Sequence, residues 1–213
     1  MPKIVIVDYQ LGNLFSVQRA CELLDCRVVV SSDPMVIAGS DALILPGVGA
    51  FGQAMENLRK LDLIAPLRDH AAAGKPLFGI CLGLQLLFDE SEEFGYPAGL
   101  GILRGSVKKL RVADVPVPQI GWNRIEPGPS CEHGWQCTPL AGVPPSSWMY
   151  FVHSFYVANA DSQDCLSRTD YAGFGYTSAV LKDAIFATQF HPEKSSTLGL
   201  DIYRRWILSL NSH

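Results

Sequence analysis

The segment from Lys75 to Gln85, with the sequence KPLFGICLGLQ, combines an apolar run, a glycine-flanked cysteine and an apolar continuation. The run before Cys81 predicts a buried β-strand, and the run after it predicts a helix. Gly79 and Gly83 flank the cysteine as in the Gly-x-Ser-x-Gly nucleophile elbow, with a thiol replacing the hydroxyl. The segment therefore predicts a strand–turn–helix unit of an α/β fold. Cys81 is either a nucleophile, whose thiolate form is favoured by the N–H groups at the helix start, or a buried structural cysteine.

Strand and helix patterns alternate through the first half of the chain. β-Branched or apolar runs predict strands at residues 3–7, 27–30, 42–45 and 76–80. Apolar residues at helical spacing predict helices at residues 14–24, at 51–73 as two helices, and at 82–88. This alternation predicts βαβ units, and therefore a parallel sheet with helices on both faces.

The second half differs because strand candidates follow one another without helices between them. They lie at residues 106–110, 120–125, 148–152, 178–181 and 185–188, and predict an antiparallel portion. Residues 126–147, rich in Pro and Gly, predict a long mobile loop, and residues 198–210 predict a terminal helix. We expect residues 1–213 to form a single domain.

Composition excludes several classes of protein. Of the 213 residues, 48% are hydrophobic, which predicts a globular chain, and 17 Lys and Arg against 21 Asp and Glu give a net charge of −4. A mildly acidic chain without a basic run has no electrostatic footprint for nucleic acid. No apolar stretch reaches the roughly 18 residues that a membrane span needs. The N-terminus has no signal-peptide pattern, so we expect a cytoplasmic protein with reduced cysteines.

A base or acid partner for the cysteine is predicted at His191-Pro192-Glu193, which follows the apolar run at residues 185–190. Catalytic groups of parallel α/β sheets gather where the strands end. Glu193 would orient the imidazole, as the third member of a catalytic triad does. Alone, the string is also typical of a surface histidine in a proline turn, but its pairing with the elbow favours the catalytic interpretation.

A glycine-rich turn, Pro46-Gly47-Val48-Gly49, follows the strand candidate at residues 42–45. Such a turn can present backbone N–H groups to an anion, and with the N–H of Leu82 it would form an oxyanion hole. An ordinary βα turn is the alternative. Cys131, His133 and Cys137 match no standard zinc spacing, so we expect no metal site. We expect His153 to be a hydrogen-bonded core residue and His70 to be exposed to solvent.

These motifs, in this order, resemble those of the class I (triad) glutamine amidotransferases. Within that class, further strings resemble the family of glutaminase subunits of imidazole glycerol phosphate synthase: DYQLGNL at 8–14, PGVGAF at 46–51, GWN at 121–123, YFVHSFY at 150–156 and HPEKS at 191–195. The resemblance extends from Lys3 to the terminal helix. Gln119 departs from the histidine that the family usually has near this position.

The resemblance implies a flavodoxin-like, mostly parallel sheet with helices on both faces and additional antiparallel strands. It implies hydrolysis of L-glutamine to L-glutamate and ammonia through a thioester on Cys81, without metal or organic cofactor. The implied residues are His191 and Glu193 in the triad, the backbone of Val48, Gly49 and Leu82 in the oxyanion hole, and Gln85, Glu93, Ser154 and Phe155 for glutamine binding. Asn13, Trp122 and Lys194 would contact a (β/α)8-barrel cyclase that receives the ammonia in a heterodimer.

Two other functions remain open at this point. A paralogous glutaminase could use the same chemistry to supply a different synthase, for example one of surface-sugar biosynthesis. A regulatory flavodoxin-like module could retain the elbow without catalysis, although a complete triad argues against this. Turnover of glutamine to glutamate separates the last alternative from the first two.

Overall fold

The computed structural model describes residues 2–113, 115–131 and 134–210. His133 lies outside the described residues. The described chain has twelve strands: β1 (Ile4–Val7), β2 (Val28–Ser31), β3 (Ala42–Gly47), β4 (Leu77–Cys81), β5 (Glu90–Ser91), β6 (Ser106–Lys109), β7 (Gln119–Pro127), β8 (Ser147–His153), β9 (Phe155–Ala158), β10 (Cys165–Tyr171), β11 (Phe174–Lys182) and β12 (Ile185–Thr188). Its α-helices are α1 (Leu14–Glu22), α2 (Pro34–Ala38), α3 (Phe51–Lys60), α4 (Ile64–Ala72), α5 (Leu82–Leu86) and α6 (Ser196–Ser209).

The sheet is parallel in its first part and antiparallel in its second. Five parallel strands lie in the order β2-β1-β3-β4-β12, and the sheet continues antiparallel through β11, β10, β7 and β8. The short strand β5 pairs with β6, β6 with β9, and β9 with β11. The order of the parallel part is that of a flavodoxin-like sheet. This confirms the predicted fold class, including the antiparallel strands of the second half.

Helices cover both faces of the parallel strands because alternate residues of each strand point to opposite sides. Ile4 and Ile6 of β1 pack in one core with Val17 of α1 and Tyr203 of α6. The intervening residues of the same strand pack in a second core, with Ile37 of α2 and buried residues of α3 and α4. Both cores hold the parallel strands in place, so the ends of these strands are fixed relative to one another.

The sequence located the parallel strands and the longer helices, but not every element of the chain. It did not predict the short helix α2 or the strands β5, β9 and β10, and β11 begins at Phe174, four residues before the predicted strand. Most of the described residues of segment 126–147 form a loop, as predicted, although β7 extends to Pro127 and β8 begins at Ser147. The loop is anchored. Trp135 is buried, and its indole N–H donates to the carbonyl of Leu166 at 2.8 Å. Within the described ranges, no helix is both long and apolar enough to cross a membrane.

The turn after β4 depends on Gly83, the first-turn glycine of α5. A Cβ at this position would lie 1.8 Å from the carbonyl oxygen of Leu45 in β3. No real Cβ comes that close to a backbone oxygen, so any side chain would push α5 away from the sheet. The glycine therefore allows the helix to begin directly against the neighbouring strand.

Gly83→Ala should lower the free energy of unfolding by about 3 kcal/mol, the upper end of the usual cost of overpacking. The matched control is Gly52→Ala in α3, where the added Cβ meets nothing nearer than Pro97 Cγ at 3.7 Å. Because alanine favours the helix more than glycine does, this control should be neutral or stabilising by up to about 1 kcal/mol. Urea unfolding measures both. Equal effects of the two variants would contradict the close approach of α5 to β3.

Candidate active site

Cys81 lies at the sharp turn between β4 and α5. Its φ of 55° and ψ of −105° are strained for a residue with a side chain, as expected for a nucleophile elbow. A Cβ at Gly79 would lie 3.0 Å from Ala187 Cβ, so both glycines of the motif are needed for close packing. Only 5% of Cys81 is exposed. The turn therefore holds the sulfur in one place at the end of the strand.

The register of three neighbouring strands brings the predicted site residues together. Gly47 at the end of β3 is the register partner of Cys81. On the other side, Thr188 at the end of β12 pairs with Ile80, one residue before the cysteine. Residues 189–191 therefore continue alongside the elbow. The strand ends lie at the same edge of the sheet because all three strands are parallel.

His191 and Glu193 form a buried pair within one short turn. The Nδ1 atom of His191 lies 2.7 Å from Oε1 of Glu193, and 2% and 1% of their side chains are exposed. The backbone N–H of His191 donates to the Tyr150 carbonyl at 2.9 Å, and the backbone carbonyl of His191 accepts from the Ser195 hydroxyl at 2.7 Å. Because the carboxylate holds Nδ1, the other ring nitrogen, Nε2, is left free for proton transfer.

Charge around His191 favours the imidazolium form. Burial alone lowers the pKa of His191, but Cys81 and Glu193 beside it outweigh burial and raise the pKa above the ordinary value of 6.5. The pKa of His153 moves in the opposite direction, to about 4, because this ring is buried with no carboxylate partner. The two histidines near the cysteine therefore differ in charge at neutral pH.

A pocket of about 420 Å³ opens over Cys81. It brings together most of the residues that the sequence assigned to the site. Predicted residues lining it are Val48, Gly49, Cys81, Leu82, Gln85, Glu93, Ser154, Phe155 and Lys194. Pro118, Val152 and His153 also line it, and sequence reasoning had not assigned them to the site. A larger cleft of about 620 Å³ beside α1 and β2 is mostly apolar and lies away from the triad.

The loop after β3 approaches the pocket in a conformation that requires glycine. Gly49 has a φ of +111°, and a Cβ on Gly47 would lie 1.8 Å from the Tyr9 hydroxyl oxygen. Val48 between them is 37% exposed. Val48 and Gly49 line the pocket together with Cys81, so this loop borders the sulfur.

Two polar side chains that line the pocket, those of Glu93 and Gln85, are held by hydrogen bonds to the protein. One carboxylate oxygen of Glu93, Oε2, accepts from the N–H of Phe51 at the start of α3, at 2.7 Å. The side-chain amide of Gln85 donates to the carbonyl of Phe155 at 2.9 Å and to Gln189 at 3.0 Å. These bonds leave the second Glu93 oxygen and the Gln85 carbonyl oxygen as acceptors for a bound molecule.

His153, in the apolar strand β8, is a hydrogen-bonded core residue, as expected from its apolar context. Its Nδ1 atom lies 2.8 Å from the carbonyl of Phe155, and its Nε2 atom lies 3.2 Å from the Tyr176 hydroxyl. That hydroxyl donates to Oε1 of Gln119 at 2.9 Å. Gln119 is therefore part of the buried packing next to His153, which lines the pocket.

Of the predicted partner-facing residues, Lys194 lines the pocket, and both Lys194 and Trp122 lie against the ring of Tyr150. Trp122 is 50% exposed and meets the Tyr150 ring edge-on, with centroids 6.1 Å apart. The ammonium of Lys194 lies 5.8 Å from the centroid of the same tyrosine ring. Asn13 follows β1 and caps α1, where its side-chain oxygen accepts from the Ser16 N–H at 3.3 Å.

The expectation of an exposed His70 is wrong. The residue is 3% exposed, and its Nε2 atom lies 3.0 Å from the carbonyl of Pro76, at the start of β4. Burial lowers the pKa of His70. For the residues that the structure describes, no cluster of three or more His, Cys, Asp or Glu side chains could hold a metal ion. All six cysteines, which fall within the described ranges, are free thiols.

Comparison with known proteins agrees with this geometry. Residues 5–208 match the class I glutamine amidotransferase family. The imidazole glycerol phosphate synthase subunit HisH of Symbiobacterium thermophilum is 46% identical over 207 residues, 97% of this chain and 93% of the relative. The subunit of the same name from Aquifex aeolicus is 45% identical over 93% of this chain and 92% of its own. A solved glutamine amidotransferase shares the fold, with a TM-score of 0.74 at 20% identity over 98% of this chain and 99% of its own. With its elbow cysteine and buried His–Glu pair, the chain belongs to the class I glutamine amidotransferase family.

Proposed function

We propose that the pocket hydrolyses L-glutamine to L-glutamate and ammonia, with Cys81 as the nucleophile. The observation that carries this proposal is the position of the Cys81 elbow beside the buried pair of His191 and Glu193. The pocket above the cysteine also has the size and the polar groups for a small amino acid. No metal or organic cofactor takes part in the proposed reaction.

The reaction begins when the Cys81 thiolate attacks the carboxamide carbon of glutamine. The backbone N–H groups of Val48, Gly49 and Leu82 would stabilise the negative charge on the carbonyl oxygen. The imidazolium of His191 gives its Nε2 proton to the departing amine, which leaves as ammonia, and a γ-glutamyl thioester remains on the sulfur. The neutral imidazole then takes a proton from water. The resulting hydroxide attacks the thioester, glutamate departs, and the thiolate is restored.

The same contacts suggest how glutamine is oriented. The free carboxylate oxygen of Glu93 would bind the substrate α-ammonium, since it is the acidic side chain that lines the pocket. The carbonyl oxygen of Gln85 would accept a second hydrogen bond from that group. The backbone N–H groups of Ser154 and Phe155 would donate to the α-carboxylate. Glutamine would then lie with its carboxamide over the sulfur.

We further propose that the ammonia passes to a (β/α)8-barrel cyclase, in a heterodimer that makes imidazole glycerol phosphate for histidine biosynthesis. The names of the relatives, which are subunits of imidazole glycerol phosphate synthase, support this acceptor over a surface-sugar synthase. Asn13, Trp122 and Lys194 would contact the partner. Lys194 also lines the pocket, so a partner at this surface would cover the exit of the ammonia. The six free thiols favour a cytoplasmic location.

Cys81→Ser should reduce the rate of glutamine hydrolysis by a factor of about 1,000 or more, because serine cannot form a thiolate. A rate loss of this order is expected when a catalytic nucleophile is removed. Measured in the complex with the cyclase, the variant should still form product from ammonium chloride. Cys165→Ser, at a buried cysteine outside the pocket, is the matched control and should retain activity with glutamine. Loss of product from ammonium as well, with the complex intact, would contradict separate glutaminase and synthase sites.

The charge states of the two histidines can be measured by NMR titration of 15N-labelled imidazoles. His153 should remain neutral through pH 6, and His191 should remain protonated above pH 6.5. In Cys81→Ser, the loss of the neighbouring thiolate should lower the His191 midpoint towards 6.5, whereas Cys165→Ser should leave it unchanged. A His191 midpoint that is indifferent to Cys81 would mean that the two side chains are not a catalytic pair.

Trp122→Ala should weaken binding of the cyclase at least 10-fold, since a half-exposed tryptophan is a typical interface hot spot. Isothermal titration calorimetry with the separately purified cyclase measures the affinity. Leu208→Ala is the control, because Leu208 is 59% exposed on α6, away from the pocket. An equal loss of affinity in the two variants, or none with Trp122→Ala, would place the partner elsewhere.

A further inference from the structure

Gln189 is a buried polar residue beside Cys81 that the predicted site does not include. It directly follows Thr188, the last residue of β12, whose register partner Ile80 directly precedes Cys81. Gln189 and Cys81 are therefore lateral neighbours where the two parallel strands end. None of the Gln189 surface is exposed to solvent. Burying an amide without hydrogen bonds is costly, so its partners indicate why it is there.

The orientation of this amide follows from its neighbours. The carbonyl of Phe155 can only accept, so the nitrogen of the Gln85 amide must face it, at 2.9 Å. The same nitrogen lies 3.0 Å from Gln189, which must therefore present its oxygen, Oε1. The remaining end of Gln189, the Nε2 amide nitrogen, faces the sulfur of Cys81 at 3.7 Å.

This contact differs from the other hydrogen bond of the sulfur. The Cys81 thiol lies 3.8 Å from the carbonyl of Val152, to which only a protonated sulfur can donate. The amide of Gln189 is a donor, so its bond to the sulfur becomes stronger when the thiol ionises. Ionisation of Cys81 therefore breaks the bond to the Val152 carbonyl and strengthens the bond from the Gln189 amide.

The side chain of Gln189 is not needed to hold the backbone here. Its backbone N–H donates to the carbonyl of Ser178 at 2.8 Å, independently of the side chain. The oxygen of the side chain accepts a hydrogen bond from Gln85, which lines the proposed glutamine pocket, and its nitrogen donates to Cys81.

We propose that Gln189 is a positioning residue for Cys81: its amide donates to the thiolate, fixes the direction of the sulfur and ties it to Gln85 in the glutamine pocket. The inference rests on the proposed role of Cys81 as nucleophile. His191 supplies the charged partner that exchanges a proton, whereas Gln189 supplies a neutral donor that keeps its protons throughout the reaction. Gln189 therefore stabilises the thiolate before glutamine binds.

The test is the pH dependence of alkylation of Cys81 by iodoacetamide in the full chain, with each cysteine quantified by mass spectrometry. Gln189→Glu keeps the acceptor for Gln85 but removes the donor to the sulfur. Gln189→Met removes both polar ends of the side chain at similar volume. If Gln189→Glu does not fold, the alkylation profile of Gln189→Met tests the proposal instead. The control is Thr177→Val, which removes a comparable donor to the sulfur of Cys165 at 3.5 Å.

In either folded Gln189 variant, the midpoint of Cys81 alkylation should move up by about 1 to 2 pH units, the effect of losing a hydrogen bond to a charged atom. The profile of Thr177→Val should match that of the unchanged protein. A folded Gln189 variant with an unshifted midpoint would overturn the positioning role while leaving Cys81 as the nucleophile. If Cys81 of the unchanged protein reacts no faster at pH 7 than the exposed Cys137, the proposed nucleophile fails, and this inference with it.

Discussion

The register of three neighbouring parallel strands is the constraint on which the site depends. β3, β4 and β12 end together, so that Gly47, Cys81 and Gln189 lie side by side at one edge of the sheet. A shift of one residue in β12 would turn the following side chains to the other face, because side-chain direction alternates along a strand. The two cores on opposite faces of the sheet resist such a shift. Stability of the fold and geometry of the site therefore depend on the same contacts.

The elbow and the His–Glu pair use burial in different ways. At the elbow, close packing through Gly83 holds Cys81 in a strained backbone conformation. At the pair, Cys81 and the Glu193 carboxylate together raise the pKa of His191, although burial of the ring acts to lower it. His153, equally buried but without a carboxylate, stays neutral. Neighbouring histidines thus differ in charge because of their partners and not because of their depth.

Local sequence patterns predicted the parts of the fold and site that depend on short-range signals. Glycine spacing identified the elbow at Cys81, and the alternation of strands and helices identified the parallel sheet. Neither pattern could reveal Gln189, because its role comes from a contact with Cys81, which lies 108 residues earlier in the chain. His70 was misassigned for the same reason, since the Ser40 hydroxyl, 30 residues earlier in the chain, lies 3.5 Å from its Nδ1 atom. The anchored loop at Trp135 likewise depends on a distant acceptor, Leu166.

The central claim is that Cys81, among six cysteines, is the residue that attacks the carboxamide of glutamine. A glutamine analogue with an electrophilic diazoketone in place of the carboxamide tests it most directly, with the site of modification located by tandem mass spectrometry. We expect one equivalent of label, confined to Cys81 and prevented by excess L-glutamine. Label on the exposed Cys137, or labelling that glutamine does not prevent, would mean that Cys81 is not the nucleophile.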